Sequence, residues 1–158
     1  MRYIPSDLEK SISMMYKRMN VYKPNELEEE LIARYFRIFL YRKPMGSMSY
    51  ENGRFVSITI DQRLPVEQQR EQFYHELCHI LRHCGWQAGL MPKMFRELQE
   101  WDANHFTRYA AIPFHMLKYV DFQDPYVVDQ MVSMFKVTPE LCMERLFHLK
   151  RRMRQIVA

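Results

Sequence analysis

The run PVEQQREQFYHELCHILRHCG at residues 65–85 constrains this chain more than any other stretch. Val66, Phe73, Leu77, Ile80 and Leu81 recur at helical spacing, with a proline at the start and Gly85 at the stop, so the run predicts one long helix. Its second half holds His75, Glu76, Cys78, His79, His83 and Cys84. Any fold must bury one face of this helix and still give closely spaced imidazoles something to bind.

His75 and His79 are four residues apart, which puts one above the other on a helix so that both rings reach a single ion. Glu76 is rotated by one position and addresses a water on that ion rather than the ion itself. This H-E-x-x-H spacing supplies two metal ligands and a general base from one turn, the arrangement of a zinc-dependent hydrolase. In that reading zinc lowers the pKa of its water toward about 7, and Glu76 takes the proton as the water attacks a peptide carbonyl. The segment Phe55–Ile60 precedes the helix and is expected to pair with an extended substrate as an added strand.

A catalytic zinc takes three protein ligands and leaves one position open. His83 would put three ligands in line over about 12 Å of helix, farther than one ion with bonds near 2 Å can bridge. It is expected beside the ligand set or as a cation at the helix C-terminus. Of the downstream carboxylates, Glu100 is preferred as third ligand, because Asn104 follows one helical turn later and can fix the tautomer of a ligand histidine. Glu97, with Trp101 at the same offset, is the first alternative.

Local signals lay out the rest of the chain. Ser6 and Glu9 make a capping box ahead of Leu8, Ile12, Met15, Tyr16 and Met19, predicting a first helix from about Asp7. Asn25, with Glu28 at the box position and Arg34 and Arg37 toward the far end, predicts a second. Arg37–Tyr41, Met48–Glu51 and FVSITI read as strands, the last two joined through Asn52-Gly53. Val56, Ile58 and Ile60 alternate with Ser57 and Thr59, predicting a strand buried on one face. The segment PKMFRELQEWDANHFTRYAA predicts one unbroken helix ending near Ile112-Pro113. A short helix through Tyr119, a loop at Asp121–Pro125 and two tail helices follow, Tyr126–Phe135 and Pro139 to about Gln155, the second capped by Thr138.

Composition narrows the class. At 158 residues the chain is the size of one domain, and 47% hydrophobic with 27% charged residues is a folding composition. No run approaches the roughly 20 apolar residues that span a bilayer, and the N-terminal residues do not form a signal segment, so neither membrane insertion nor secretion is expected. Three cysteines without framework spacing suit reduced, packed thiols in a cytoplasm. The net charge of +4 owes much to Lys150, Arg151, Arg152 and Arg154, cations suited to a helix C-terminus.

Two competing readings remain. MVSMFKVTPELCMERL has the form of a helix-turn-helix, but Glu140 and Glu144 near the start of its second helix would repel phosphates, so direct nucleic-acid binding is disfavoured. A non-cleaving regulatory or interaction protein with a structural zinc is the other alternative.

The ordered set VSITIDQRLP, QREQFYHELCHILRH, EWDANHF, AAIPFHML and FKVTPELCMERL resembles the ImmA/IrrE metallopeptidases, zincins of phages and mobile elements. The resemblance implies one zinc ion held by His75, His79 and Glu100, with Glu76 as general base; Asn104 and His83 are expected around the ligands from their helical spacing. It implies a bacterial cytoplasmic endopeptidase acting on a helix-turn-helix repressor or a similar regulator. The fold expected is α+β, a small and mostly antiparallel three-stranded sheet on zincin-type helices with a helix-turn-helix-like tail. The chain is expected to be a single metallopeptidase domain, residues 1–120 forming the zincin-like core and 121–158 a helical extension.

Overall fold

A computed structural model describes residues 2–85 and 87–157. Helix α1, Asp7–Arg18, starts as the capping box requires: Ser6 Oγ accepts from the Glu9 amide at 3.2 Å, and the Ser6 amide donates to Glu9 at 2.7 Å. The second predicted helix is shortened. A 3-10 turn covers Pro24–Glu26, Leu27 and Glu28 are extended, and α2 runs only over Glu29–Tyr35. Buried Arg70 explains the shift, because it draws the Leu27 carbonyl to 2.8 Å and the Glu29 carboxylate to 3.3 Å. A continuous helix from Asn25 would use that carbonyl in its own ladder, so tertiary pairing overrides the local box.

Strands β1 (Phe39–Lys43), β2 (Met48–Asn52) and β3 (Phe55–Asp61) form one sheet in the order β1-β3-β2. The sheet is mixed: β2 pairs antiparallel to β3 across the hairpin, whereas β1 pairs parallel to it. Gly53 takes φ 61° at the hairpin turn, a backbone state glycine enters without strain. The most apolar strand has the middle place. There Ser57 and Thr59 are buried along with Val56, Ile58 and Ile60, where alternation alone predicted one open face. Larger cross-strand neighbours on that face, Phe39 and Tyr50 beside Ser57, Tyr41 and Met48 beside Thr59, cover the small hydroxyls while remaining exposed themselves.

Helix α3, Val66–Cys84, packs on β2 and β3 on one side and on α4 and α5 on the other. Phe73, Tyr74, Leu77, Cys78, Ile80 and Leu81 are buried in this central position. The single helix predicted from Pro92 to Ile112 is two: α4 spans Pro92–Glu100 and α5 spans Ala103–Ala111. Trp101 and Asp102 are extended, and Asp102 caps α5 by accepting from the His105 amide at 2.9 Å. Trp101 meets the His105 ring at 4.7 Å, a contact that belongs to the break.

The tail follows expectation closely. A 3-10 turn covers Phe114–Tyr119, α6 covers Val127–Phe135, and α7 covers Pro139–Val157 with Thr138 Oγ1 accepting from Leu141. It is anchored deeply: Arg145 and Glu9 form an ion pair at 2.7 Å with both side chains fully buried, and Arg145 Nε also donates to the Ile112 carbonyl. Tyr3 adds its hydroxyl to Glu9. Among the described residues no helix is long and apolar enough to cross a membrane.

Candidate metal centre

The i, i+4 spacing on α3 delivers its geometric promise. His75 Nε2 and His79 Nε2 lie 3.2 Å apart, with ring centroids at 4.9 Å and planes at 71°. Two nitrogens bound to one tetrahedral ion at about 2.05 Å stand about 3.3 Å apart, so this pair fits a shared metal without moving. Burial, then the charge of neighbouring His75, holds the His79 imidazole below its usual range, which keeps a nitrogen lone pair available.

Beside the pair lies a cleft of about 700 Å³. His75 and Glu76 reach it from α3, Asn104 and Arg108 from α5, and Glu144 from α7. The floor of this cleft thus unites the proposed base with the asparagine singled out from the sequence. Cys78 points instead into the core, where burial pushes its thiol up to about 12, and burial likewise pushes Cys142 up to about 12. These thiols are packing groups, as expected.

The remaining candidates lie apart. Among the described residues, no three or more His, Cys, Asp or Glu side chains are grouped to hold a metal. Glu100 is exposed as the last residue of α4, and the break after it removes the shared face on which Glu100 and Asn104 were predicted to sit. Glu97 turns toward α1, where Ser11 Oγ donates to it at 3.4 Å; burial and the nearby Asp7 raise its pKa. His83 is largely exposed, with Nδ1 at 3.7 Å from Glu51 of β2.

Several cleft residues went unnoticed in the sequence although their spacing carried a signal. Glu71 stands four before His75 and Arg108 four after Asn104, so each lies on the face already identified as functional. Glu71 accepts from Thr138 Oγ1 at 2.9 Å, and burial raises its pKa, with Glu140 and Glu144 adding to the shift. Arg108 is almost fully buried and pairs with Glu144 at 3.3 Å. Glu144 comes from far along the chain and had no local signal.

The expected strand-addition site is corrected. β3 has β1 on one edge and β2 on the other, so its backbone groups are already paired and an extended peptide cannot join it. β2 keeps an outer edge and packs on α3, and Gly46 and Ser47 just before it line the cleft.

The sequence profile described as the IrrE N-terminal-like domain, Peptidase M78, matches residues 28–147, which holds the sheet, the histidine pair and the cleft. The chain belongs to the Peptidase M78 family. It is 34% identical over 149 residues to the phage-like element PBSX protein XkdA of Bacillus subtilis (strain 168), covering 93% of this chain and 75% of that protein. To the uncharacterized protein YqaB of the same strain it is 32% identical over 159 residues, covering 98% and 91%. The Peptidase M78 assignment agrees with the ImmA/IrrE resemblance, and the first relative is named for a phage-like element.

Proposed function

We propose that this Peptidase M78 member is a zinc-dependent endopeptidase of a bacterial cytoplasm or a mobile element, acting on a helix-turn-helix repressor or similar regulator. The observation that carries the reading is the 3.2 Å separation of the two histidine Nε2 atoms at the edge of a cleft that also receives Glu76. His75, His79 and Glu100 would hold one ion. Glu100 is favoured over Glu97 because Glu97 is engaged by Ser11, and because Asn104 of the same E-x-x-A-N segment lines the cleft.

When bound, zinc supplies Lewis acidity and lowers the pKa of a water toward about 7. Glu76 would take a proton from the attacking water and return it to the leaving amine. His75 and His79 would present their Nε2 atoms, 3.2 Å apart, to the ion. Asn104 orients a polar group at the cleft wall, and the outer edge of β2 offers backbone partners to an extended peptide. A repressor substrate is supported by the ImmA/IrrE resemblance and by a relative named for a phage-like element.

The test joins metal analysis to proteolysis. Wild type, Glu76→Gln and Glu100→Ala are assayed for bound zinc and incubated with the repressor encoded nearest to the gene. Zinc retained but cleavage lost in Glu76→Gln, and zinc lost in Glu100→Ala, is the expected pattern. Stoichiometric zinc in Glu100→Ala moves the third ligand elsewhere, and zinc-loaded wild type that leaves the repressor intact favours a non-cleaving regulator.

A further inference from the structure

A second concavity, of about 170 Å³, lies outside the cleft between the N-terminal segment, the start of α5 and the later turns of α7. It uses a neighbouring face of α5: Asn104 and Arg108 line the cleft, whereas His105 and Tyr109 line this pocket. On α7, Glu144 serves the cleft, and His148, Arg151 and Arg152 follow in the next turns.

Its chemistry is one-signed. Among the described residues no acidic side chain lines it, and neither Arg151 nor Arg152 has a carboxylate within ion-pair distance. Arg152 is held in place, its Nε donating to the Ile4 carbonyl at 2.7 Å, which leaves the two Nη groups for a ligand. Burial, then the neighbouring Arg108, His105, Arg145 and Arg151, holds the His148 imidazole below its usual range. Asp102 and Glu9 are committed elsewhere, to His105 and to Arg145. Two guanidinium groups that line one pocket without a paired carboxylate among the described residues suit a phosphate.

The pocket is also aromatic. Trp101 is half-buried, held edge-on by His105 at 4.7 Å and Tyr109 at 6.3 Å, and Tyr3 completes the wall. Its volume is below the roughly 300–1,000 Å³ of sites that enclose a whole small molecule, so it grips part of a ligand. A ligand that offers a phosphate and a flat ring a short distance apart meets both features.

We infer that this pocket binds a free mononucleotide, its phosphate on Arg151 and Arg152 and its base against Trp101. The site is independent of the peptidase reading, and its test involves no cleavage. With Trp86→Phe as background, Trp101 is the only tryptophan and reports directly. AMP, GMP, CMP and UMP, adenosine, inorganic phosphate and a short oligothymidylate are titrated by fluorescence and calorimetry.

At least one mononucleotide is expected to bind saturably, about tenfold or more tighter than adenosine or phosphate alone. Arg151→Gln/Arg152→Gln should lower that affinity about tenfold or more, with only the small loss of melting temperature expected from removing the Arg152–Ile4 hydrogen bond. Trp101→Phe should keep binding by calorimetry and Trp101→Ala should weaken it by about fivefold or more, as loss of a stacking ring does. The inference is overturned if no mononucleotide binds, if phosphate alone binds as tightly, or if the double arginine variant binds like its parent. Tighter binding of the oligothymidylate than of any mononucleotide would also overturn it, in favour of a single-strand surface.

Discussion

Helix α3 and the α4–α5 segment both carry proposed metal chemistry, and they differ in continuity. α3 runs unbroken through His75 and His79, so a spacing of four letters becomes an Nε2 separation of 3.2 Å. α4 and α5 are parted at Trp101 and Asp102, so the same spacing from Glu100 to Asn104 does not place the two on one face. Spacing is geometry only within one element. The break capped by Asp102 parts the second half of the site from the geometry of the first.

The comparison can be broken most forcefully at Glu76. Glu76→Gln should leave bound metal unchanged and lower cleavage of the repressor by about 10²–10⁴-fold, the usual contribution of a general base. Single-turnover proteolysis beside metal analysis measures it, and a normally active variant would end the peptidase reading.

Next in size is the clamp on which α5 and α7 depend. Removing one partner of the buried Glu9–Arg145 pair, by Arg145→Met, should cost about 3–5 kcal/mol in chemical denaturation. The pair also sets an acid limit. Despite the opposing effect of burial, Arg145, the Ser6 amide and the Tyr3 hydroxyl hold the Glu9 carboxyl below its ordinary range. Its contribution is therefore present above the unfolded pKa near 4.3 and is lost as pH falls through the lower folded value. A Glu9→Gln protein should show a flatter stability profile between neutral pH and that acid window.

The break itself is tested by Asp102→Ala. Loss of the cap should cost about 1 kcal/mol of stability and favour fusion of α4 with α5. If Glu100 ligates from a continuous helix, zinc affinity should rise in this variant; a fall in affinity would show that the capped break is the ligating form. The smallest effect belongs to His83. His83→Ala should change stability by less than about 0.5 kcal/mol and leave zinc content as it was. A lost zinc ion would place His83 beside the metal after all.

What could be read from the sequence was local. The Ser6 box, the Asn52-Gly53 hairpin, the Thr138-Pro139 start and the H-E-x-x-H turn each depend on residues within a few positions, and each is in the structure. What was misread depends on distant partners. β3, the most apolar strand, takes the middle slot and β1 joins its free edge in parallel, a pairing invisible in either strand alone. The second helix begins late because Arg70 claims Leu27 and Glu29. Asp102 could have been read as a cap, but its place within an amphipathic run concealed it. Arg108 and Glu71 were within reach of the same four-residue rule that found the histidines.

The buried pairing of Glu9 with Arg145 has a consequence for how the molecule is made. A chain emerging from a ribosome presents α1 early, yet the carboxylate on α1 finds its counter-charge only after synthesis has passed Arg145. Until then α1 has every local signal to be helical and an uncompensated charge on the face it must bury. The ion pair that seals α1 against α7 can therefore close only after α7 has been made.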